Sequence, residues 1–152
     1  MNDAYHFRGF RKPTYTQVPD EVFDELMPIL SGSEFKVLIY VIRRTFGFKK
    51  GSDRISKAQM EFGIRRKDGT ILDGGTGLSR RAIRLAVDSL VEKDILIKIT
   101  HQSAERGDEA TEYALNIIGL DPWVESTQGE GQKVPTPVGN GYPHKKQVNK
   151  TQ

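Results

Sequence analysis

An amphipathic helix pattern running directly into two alternating strands is the feature that most limits how this chain can fold. Across residues 79–93, Ile83, Ala86, Val87, Leu90 and Val91 fall on one stripe at 3.6 residues per turn. Arg81, Leu85, Asp88 and Glu92 fall on the opposite side, with Arg80 and Arg84 on its flank. Ser79 stands where an N-cap belongs, and Leu78 can staple to Ile83. Immediately afterwards the period changes from 3.6 to 2. Ile95, Ile97 and Ile99 alternate with Leu96, Lys98 and Thr100, and Tyr113, Leu115 and Ile117 alternate with Glu112, Ala114 and Asn116. A helix that must bury one face, followed by a half-buried hairpin, needs further helices to complete its core.

Those helices are legible upstream. Val22, Phe23, Leu26, Ile29 and Leu30 mark a first helix, with Pro19, Asp20 and Glu21 suited to its first turn. Ser33 is read as the cap of a second helix running to about residue 45, with Gly47 as its stop. Ser56-Lys57-Ala58-Gln59 has the form of a capping box for a short third helix, stapled by Ile55 and Met60 and ended by Gly63. The predicted architecture is mainly α with a small β-hairpin: a winged helix-turn-helix over residues 14–120. The third and fourth helices form the helix-turn-helix and the hairpin forms the wing. A flexible basic and aromatic arm, residues 1–13, precedes it. Residues 121–152 lack apolar periodicity and are read as a disordered tail or linker, with Trp123 packing back on the domain.

Composition narrows the function. With no cysteine among 152 residues, disulfides and thiolate metal sites are excluded. Hydrophobic residues make up only 36%, too few for a chain packed throughout. No signal core or membrane-length apolar run is present, so a soluble cytoplasmic protein is expected. The histidines at 6, 101 and 144 lack metal-ligand spacing, no nucleophile–base pair is visible, and the carboxylates read as solvated charge on helix faces. Asp73-Gly74-Gly75-Thr76-Gly77 is glycine-rich but fits neither phosphate-binding consensus, and is read as a sharp turn into the fourth helix. Neither an enzyme nor a cofactor is expected.

A net charge of +3 is only mildly basic, so the placement of charge carries the argument. Arg80, Arg81 and Arg84 open a helix whose other face is apolar, which is how a recognition helix meets a major groove. Ser79, Arg80, Arg81 and Arg84 are therefore the first candidate DNA contacts, and Lys98 on the wing is another. Between the third and fourth helices lies an unusually long connection, residues 64–77. Its Asp68-Gly69 is a type I′ turn signal, so a miniature hairpin is expected there. That hairpin either extends a phosphate footprint through Arg65, Arg66 and Lys67 or is a solvated loop. The arm carrying Tyr5, His6, Phe7, Arg8, Phe10, Arg11 and Lys12 either enters a minor groove or packs its aromatics on the domain. Asp53 and Arg54 are read as an ion pair with each other.

Arg43-Arg44-Thr45-Phe46-Gly47-Phe48-Lys49-Lys50, then Ser52-Asp53-Arg54-Ile55-Ser56, resembles the amino-terminal domain of the bacteriophage replication protein O family. So do Tyr15-Thr16-Gln17-Val18-Pro19 and Gly77-Leu78-Ser79-Arg80-Arg81 followed by Leu90-Val91-Glu92-Lys93. The resemblance implies a winged helix that binds repeated double-stranded origin sequences in the bacterial host cell, usually as a homodimer. It also implies a replication-protein partner, for which the tail would serve here. The long 64–77 connection departs from a turn of a few residues. A transcriptional regulator of the same class and a winged-helix protein-interaction module are the alternative functions.

Overall fold

In the computed structural model, residues 4–103, 107–108 and 110–119 are described. The expected tail and Trp123 lie outside them. The first expected helix shrinks to a wide helical turn, Val22–Leu26, in which the Met27 amide donates to the Val22 carbonyl. Only Val22 of its apolar set is buried; Phe23 and Ile29 are exposed. Helix α1 (Gly32–Arg44) is capped by Ser31, not Ser33. Ser31 Oγ accepts from the Glu34 amide, and the Glu34 carboxylate accepts from the Ser31 amide at 2.7 Å. Glu34 stands three residues after Ser31, so Ser31 is the serine that can complete a reciprocal box. The helix ends before Thr45, two residues ahead of Gly47, and Phe46–Phe48 tightens into a 3₁₀ turn closed by a left-handed Lys49.

Strand β1 (Ser52–Arg54) and helix α2 (Lys57–Phe62) follow. The Ser56–Gln59 box and the Gly63 stop form as expected, Gly63 adopting φ +79°. The connection that follows is a ribbon of β2 (Ile64–Arg65) and β3 (Ile71–Asp73), which leads to helix α3 (Arg80–Glu92). Ser79 Oγ caps α3 by accepting from the Ala82 amide at 3.2 Å. At its far end Asp94 turns left-handed. The Asp94 amide then donates to the Val91 carbonyl and the Ile95 amide to the Leu90 carbonyl. These paired bonds satisfy carbonyls that the helix would leave open, and they turn the chain into β4 (Leu96–Ile99). Short β5 (Gln102–Ser103) and β6 (Gly107–Asp108) pair with each other before β7 (Glu112–Leu115) returns.

The expected two-stranded wing is therefore part of a three-stranded antiparallel sheet in the order β1-β7-β4. Ser52 pairs with Ala114 on one side of β7 and Ile97 with Ala114 on the other. Central placement changes the burial pattern. Glu112, Tyr113 and Ala114 are all buried, and in β4 Leu96 and Ile99 are the buried pair, so strict alternation does not hold. With three small antiparallel sheets among the described residues, the protein is mixed helix and sheet in place of mainly helical. One core joins the layers: Val37, Leu38, Val41 and Ile42 of α1, Met60 of α2, Ile83, Ala86, Val87 and Leu90 of α3, and Leu96 and Tyr113 of the sheet. Burying a side chain of this size contributes roughly 1.5–3 kcal/mol, enough to hold α3 with its stripe inward.

Candidate nucleic-acid interface

Inward burial of Ile83, Ala86, Val87 and Leu90 forces Arg81, Arg84, Leu85 and Asp88 outward, and all four are exposed. Arg80 is exposed too, but its Nε lies 3.3 Å from Glu61 Oε2, tying the start of α3 to α2. Among the described residues neither Arg81 nor Arg84 has an ion-pair partner. No acidic residue occupies the first turn of α3. Its amino end thus combines a positive helix terminus with guanidinium groups, an arrangement that attracts phosphate and can donate to base edges.

The expected hairpin in the 64–77 connection forms, with a different turn. The Gly69 amide donates to the Arg66 carbonyl at 3.0 Å and the Arg66 amide to the Thr70 carbonyl at 2.8 Å. Only Gly69 (φ +87°) is left-handed here; Asp68 is not. The turn is therefore a tight turn over residues 66–69 with a bulged glycine, not a type I′ turn at Asp68-Gly69. Asp68 instead uses its carboxylate to accept from the Thr70 amide at 2.8 Å, which also lowers its pKa. Arg65, Arg66 and Lys67 are all exposed on this ribbon, and Lys98 is exposed on β4. The candidate cations thus occupy three elements: α3, the ribbon before it and the strand after it. Among the described residues no hydrogen bond or ion pair joins the three groups to one another.

Within the glycine-rich run Gly75 is required by a close approach to Gly63, and Gly77 takes φ +71°. A Cβ on Gly63 would stand 2.1 Å from the Asp73 carbonyl oxygen, and one on Gly75 would stand 2.6 Å from the Gly63 nitrogen. The ribbon base is a close backbone crossing. Thr76 donates to the Met60 carbonyl from both its amide (2.7 Å) and its hydroxyl (2.8 Å).

Other charged residues turn structural. Arg44, in the family-like basic run, is buried and pairs with Asp53 at 2.7 Å. Lys50 adds a weaker contact to Asp53 at 3.3 Å. Asp53 is thus the partner of Arg44, where the sequence reading paired it with Arg54; successive strand residues point to opposite faces. Burial pushes the Arg44 pKa down, but the Asp53 carboxylate more than reverses this and raises it. Arg43 lies over the Phe48 ring at 4.8 Å and donates to Thr16 Oγ1. Nor are all carboxylates solvated. Glu34 is buried against Lys93 Nζ at 2.5 Å and the Ser89 hydroxyl, which hold its pKa down at about 2. Burial pushes the Glu112 carboxyl up, yet the Ser52 hydroxyl and His101 Nε2 (2.7 Å) more than offset this and lower it. Burial pushes the Tyr40 hydroxyl up to about 12, so it stays a donor, reaching Asp73 Oδ1 at 3.0 Å and the Gln59 carbonyl at 3.1 Å.

In the arm, Tyr5 and Phe10 are more than four-fifths exposed and Phe7 about half. Phe7 and Phe10 meet edge to face at 4.9 Å. Of the two expectations for the arm, packing of its aromatics on the domain is the one these exposures contradict.

Among the described residues no cluster of histidine and carboxylate could hold a metal, and no helix is long and apolar enough to cross a membrane. No curated protein and no solved structure gives a significant match to the chain. The family described as Bacteriophage replication protein O matches over residues 11–113 of the 152, a span that takes in α1, α2, the ribbon, α3, β1 and β4 and ends within β7. The chain belongs to that family, which places it among the proteins of phage replication.

Proposed function

We propose that this protein is a winged-helix protein that binds double-stranded DNA sequence-specifically and recognises an origin in phage or mobile-element replication. The reading is of a binding protein without catalysis. α3 acts as the recognition helix: Arg81 and Arg84 reach base edges, Ser79 and Arg80 hold its amino end against phosphate, and Lys98 meets backbone from the sheet. Arg65, Arg66 and Lys67 extend the phosphate footprint from the ribbon. One observation carries the proposal: α3 buries an apolar stripe and turns to solvent the guanidinium groups of Arg81 and Arg84, which have no ion-pair partner among the described residues. A bidentate arginine–guanine contact is worth about 1–3 kcal/mol of discrimination. Family membership supports replication over transcription as the setting. Binding of repeated sites by two copies, and a replication-protein contact through residues 121–152, rest on the family resemblance alone.

Selection of bound duplexes from a random pool, mapped onto the source genome, tests the proposal. A repeated site within a replication gene supports it. A site over a promoter assigns the protein to transcriptional control. The exposed Phe62, Ile71, Leu72 and Leu85 favour a protein-docking role as the second reading; failure to enrich any duplex would select it.

A further inference from the structure

The β2–β3 ribbon cannot owe its orientation to its own interior. Residues 65–72 are all exposed, including Ile71 and Leu72, and the strand register slips between Ile64 and Arg65. A lone two-stranded ribbon is marginally stable at best. What aims it must act at its base. The Thr76 bonds and the Gly63–Gly75 crossing fasten that base to the end of α2. One side-chain bond reaches further: Tyr40 Oη in the middle of α1 donates to Asp73 Oδ1, which also accepts from the Gly75 amide at 2.9 Å. Among the described residues it is the side-chain hydrogen bond that joins the ribbon to α1.

The direction of that bond is set from behind. A hydroxyl has one proton to give, and Tyr40 has two acceptors within reach, the Gln59 carbonyl and the Asp73 carboxylate. The charged acceptor is the stronger of the two. Arg44 Nη1 donates to the Tyr40 oxygen at 3.5 Å, and Arg44 is itself held by Asp53 on β1. A chain of contacts therefore runs from the sheet, through the α1 interior, to the ribbon: Asp53, Arg44, Tyr40, Asp73, Gly75.

We infer that Tyr40 and Asp73 form a latch that fixes the aim of the ribbon, so that Arg65, Arg66 and Lys67 meet the phosphates of a bound duplex as a preset second contact element beside α3. This rests on the proposed role of the ribbon in DNA binding. Tyr40 and Asp73 touch no DNA; they are positioning residues. Ordering a loose ribbon on binding would cost conformational entropy for each residue fixed, and the latch removes that cost in advance.

The test uses the full chain and a mixed-sequence duplex, with affinity followed from roughly 50 to 200 mM salt, a range over which phosphate contacts are read as a slope. Each phosphate contact contributes about 0.9 to the slope of log affinity against log salt, so Arg65→Ala/Arg66→Ala/Lys67→Ala is expected to reduce it by up to about 2.7. Asp73→Ala and Tyr40→Phe are each expected to reduce it by about 1 or more and to have no further effect in the triple-alanine background. Asp73→Asn keeps an acceptor without the charge that favours it over the Gln59 carbonyl, and is expected to lower the slope less than Asp73→Ala does. Asp73 is half-buried at the ribbon base and outside the hydrophobic core, so its variants should remain folded even where Tyr40→Phe weakens the core. A parental slope in Asp73→Ala alongside a reduced slope in the triple variant overturns the latch and leaves the ribbon contact standing. Equal or greater loss in Asp73→Asn than in Asp73→Ala also overturns it, because the retained acceptor would then hold nothing. An unchanged slope in the triple variant overturns the ribbon reading and the latch together.

Discussion

Glu34 is the group through which acid should loosen the attachment of α3. Its carboxylate faces Lys93 Nζ at 2.5 Å and the Ser89 hydroxyl, both at the carboxyl end of α3, while its other oxygen holds the Ser31 cap of α1. One side chain thus clamps two helices. Lys93 and Ser89 lower its pKa from 4.5 to about 2. Taken in full, a shift of that size corresponds to about 3 kcal/mol. Lys93 is 41% exposed, and solvent screening reduces the contribution to about 1–2 kcal/mol. Because the folded pKa is depressed, this stability is fully present above pH 4.5, where the unfolded carboxyl is charged, and is lost as pH falls towards 2. Glu34→Gln isolates the charge, since glutamine also completes a capping box. Urea unfolding of the two proteins at several pH values provides the assay. The variant should be less stable by about 1–2 kcal/mol at pH 7, and the two curves should converge as pH falls below 4.5. A gap of the same size at pH 7 and pH 3 would refute the assignment of this stability to the charged clamp.

Two further perturbations follow from packing and pairing. Gly63→Ala should destabilise the fold by about 2 kcal/mol or more, since it combines φ +79° with a Cβ 2.1 Å from the Asp73 carbonyl oxygen; a melting temperature equal to the parent's would contradict the backbone crossing. Asp53→Ala should cost about 3 kcal/mol by stranding the buried Arg44 charge, whereas Lys50→Ala, at a half-exposed partner of the same carboxylate, should cost well under about 1 kcal/mol. Equal losses by chemical denaturation would show that burial does not govern this cluster.

The α3 stripe was legible because its signal is local and repeated. Ile83, Ala86, Val87 and Leu90 sit at helical spacing behind a serine cap, and all four are buried. The Ser56–Gln59 box was equally direct, since its two partners lie within one turn. Ser31 could have been found by the same rule, for Glu34 follows it at the box spacing. Strand β1 left no such trace. Three polar residues, Ser52, Asp53 and Arg54, carry no periodicity and become a strand only because β7 offers them an edge. That same third strand buried Glu112 and broke the expected alternation in β7. Long-range pairs were invisible for a related reason: nothing near Tyr40 in the sequence announces Asp73, and nothing near Glu34 announces Lys93. In the candidate interface, exposure of Arg81, Arg84, Arg65, Arg66, Lys67 and Lys98 agrees with the sequence pattern. The engagement of Arg80 by Glu61 depends on how α2 and α3 meet, which no local pattern encodes.

Affinity of the parent and of Arg81→Ala/Arg84→Ala for a selected duplex, each measured against a scrambled duplex, tests the central claim most directly. Both side chains are exposed and outside the core, so melting temperatures should stay close to the parent's. Discrimination between the two duplexes should fall by about 1–3 kcal/mol for each base that an arginine no longer reads. Undiminished discrimination in a folded double variant would contradict the assignment of α3 as the element that reads DNA.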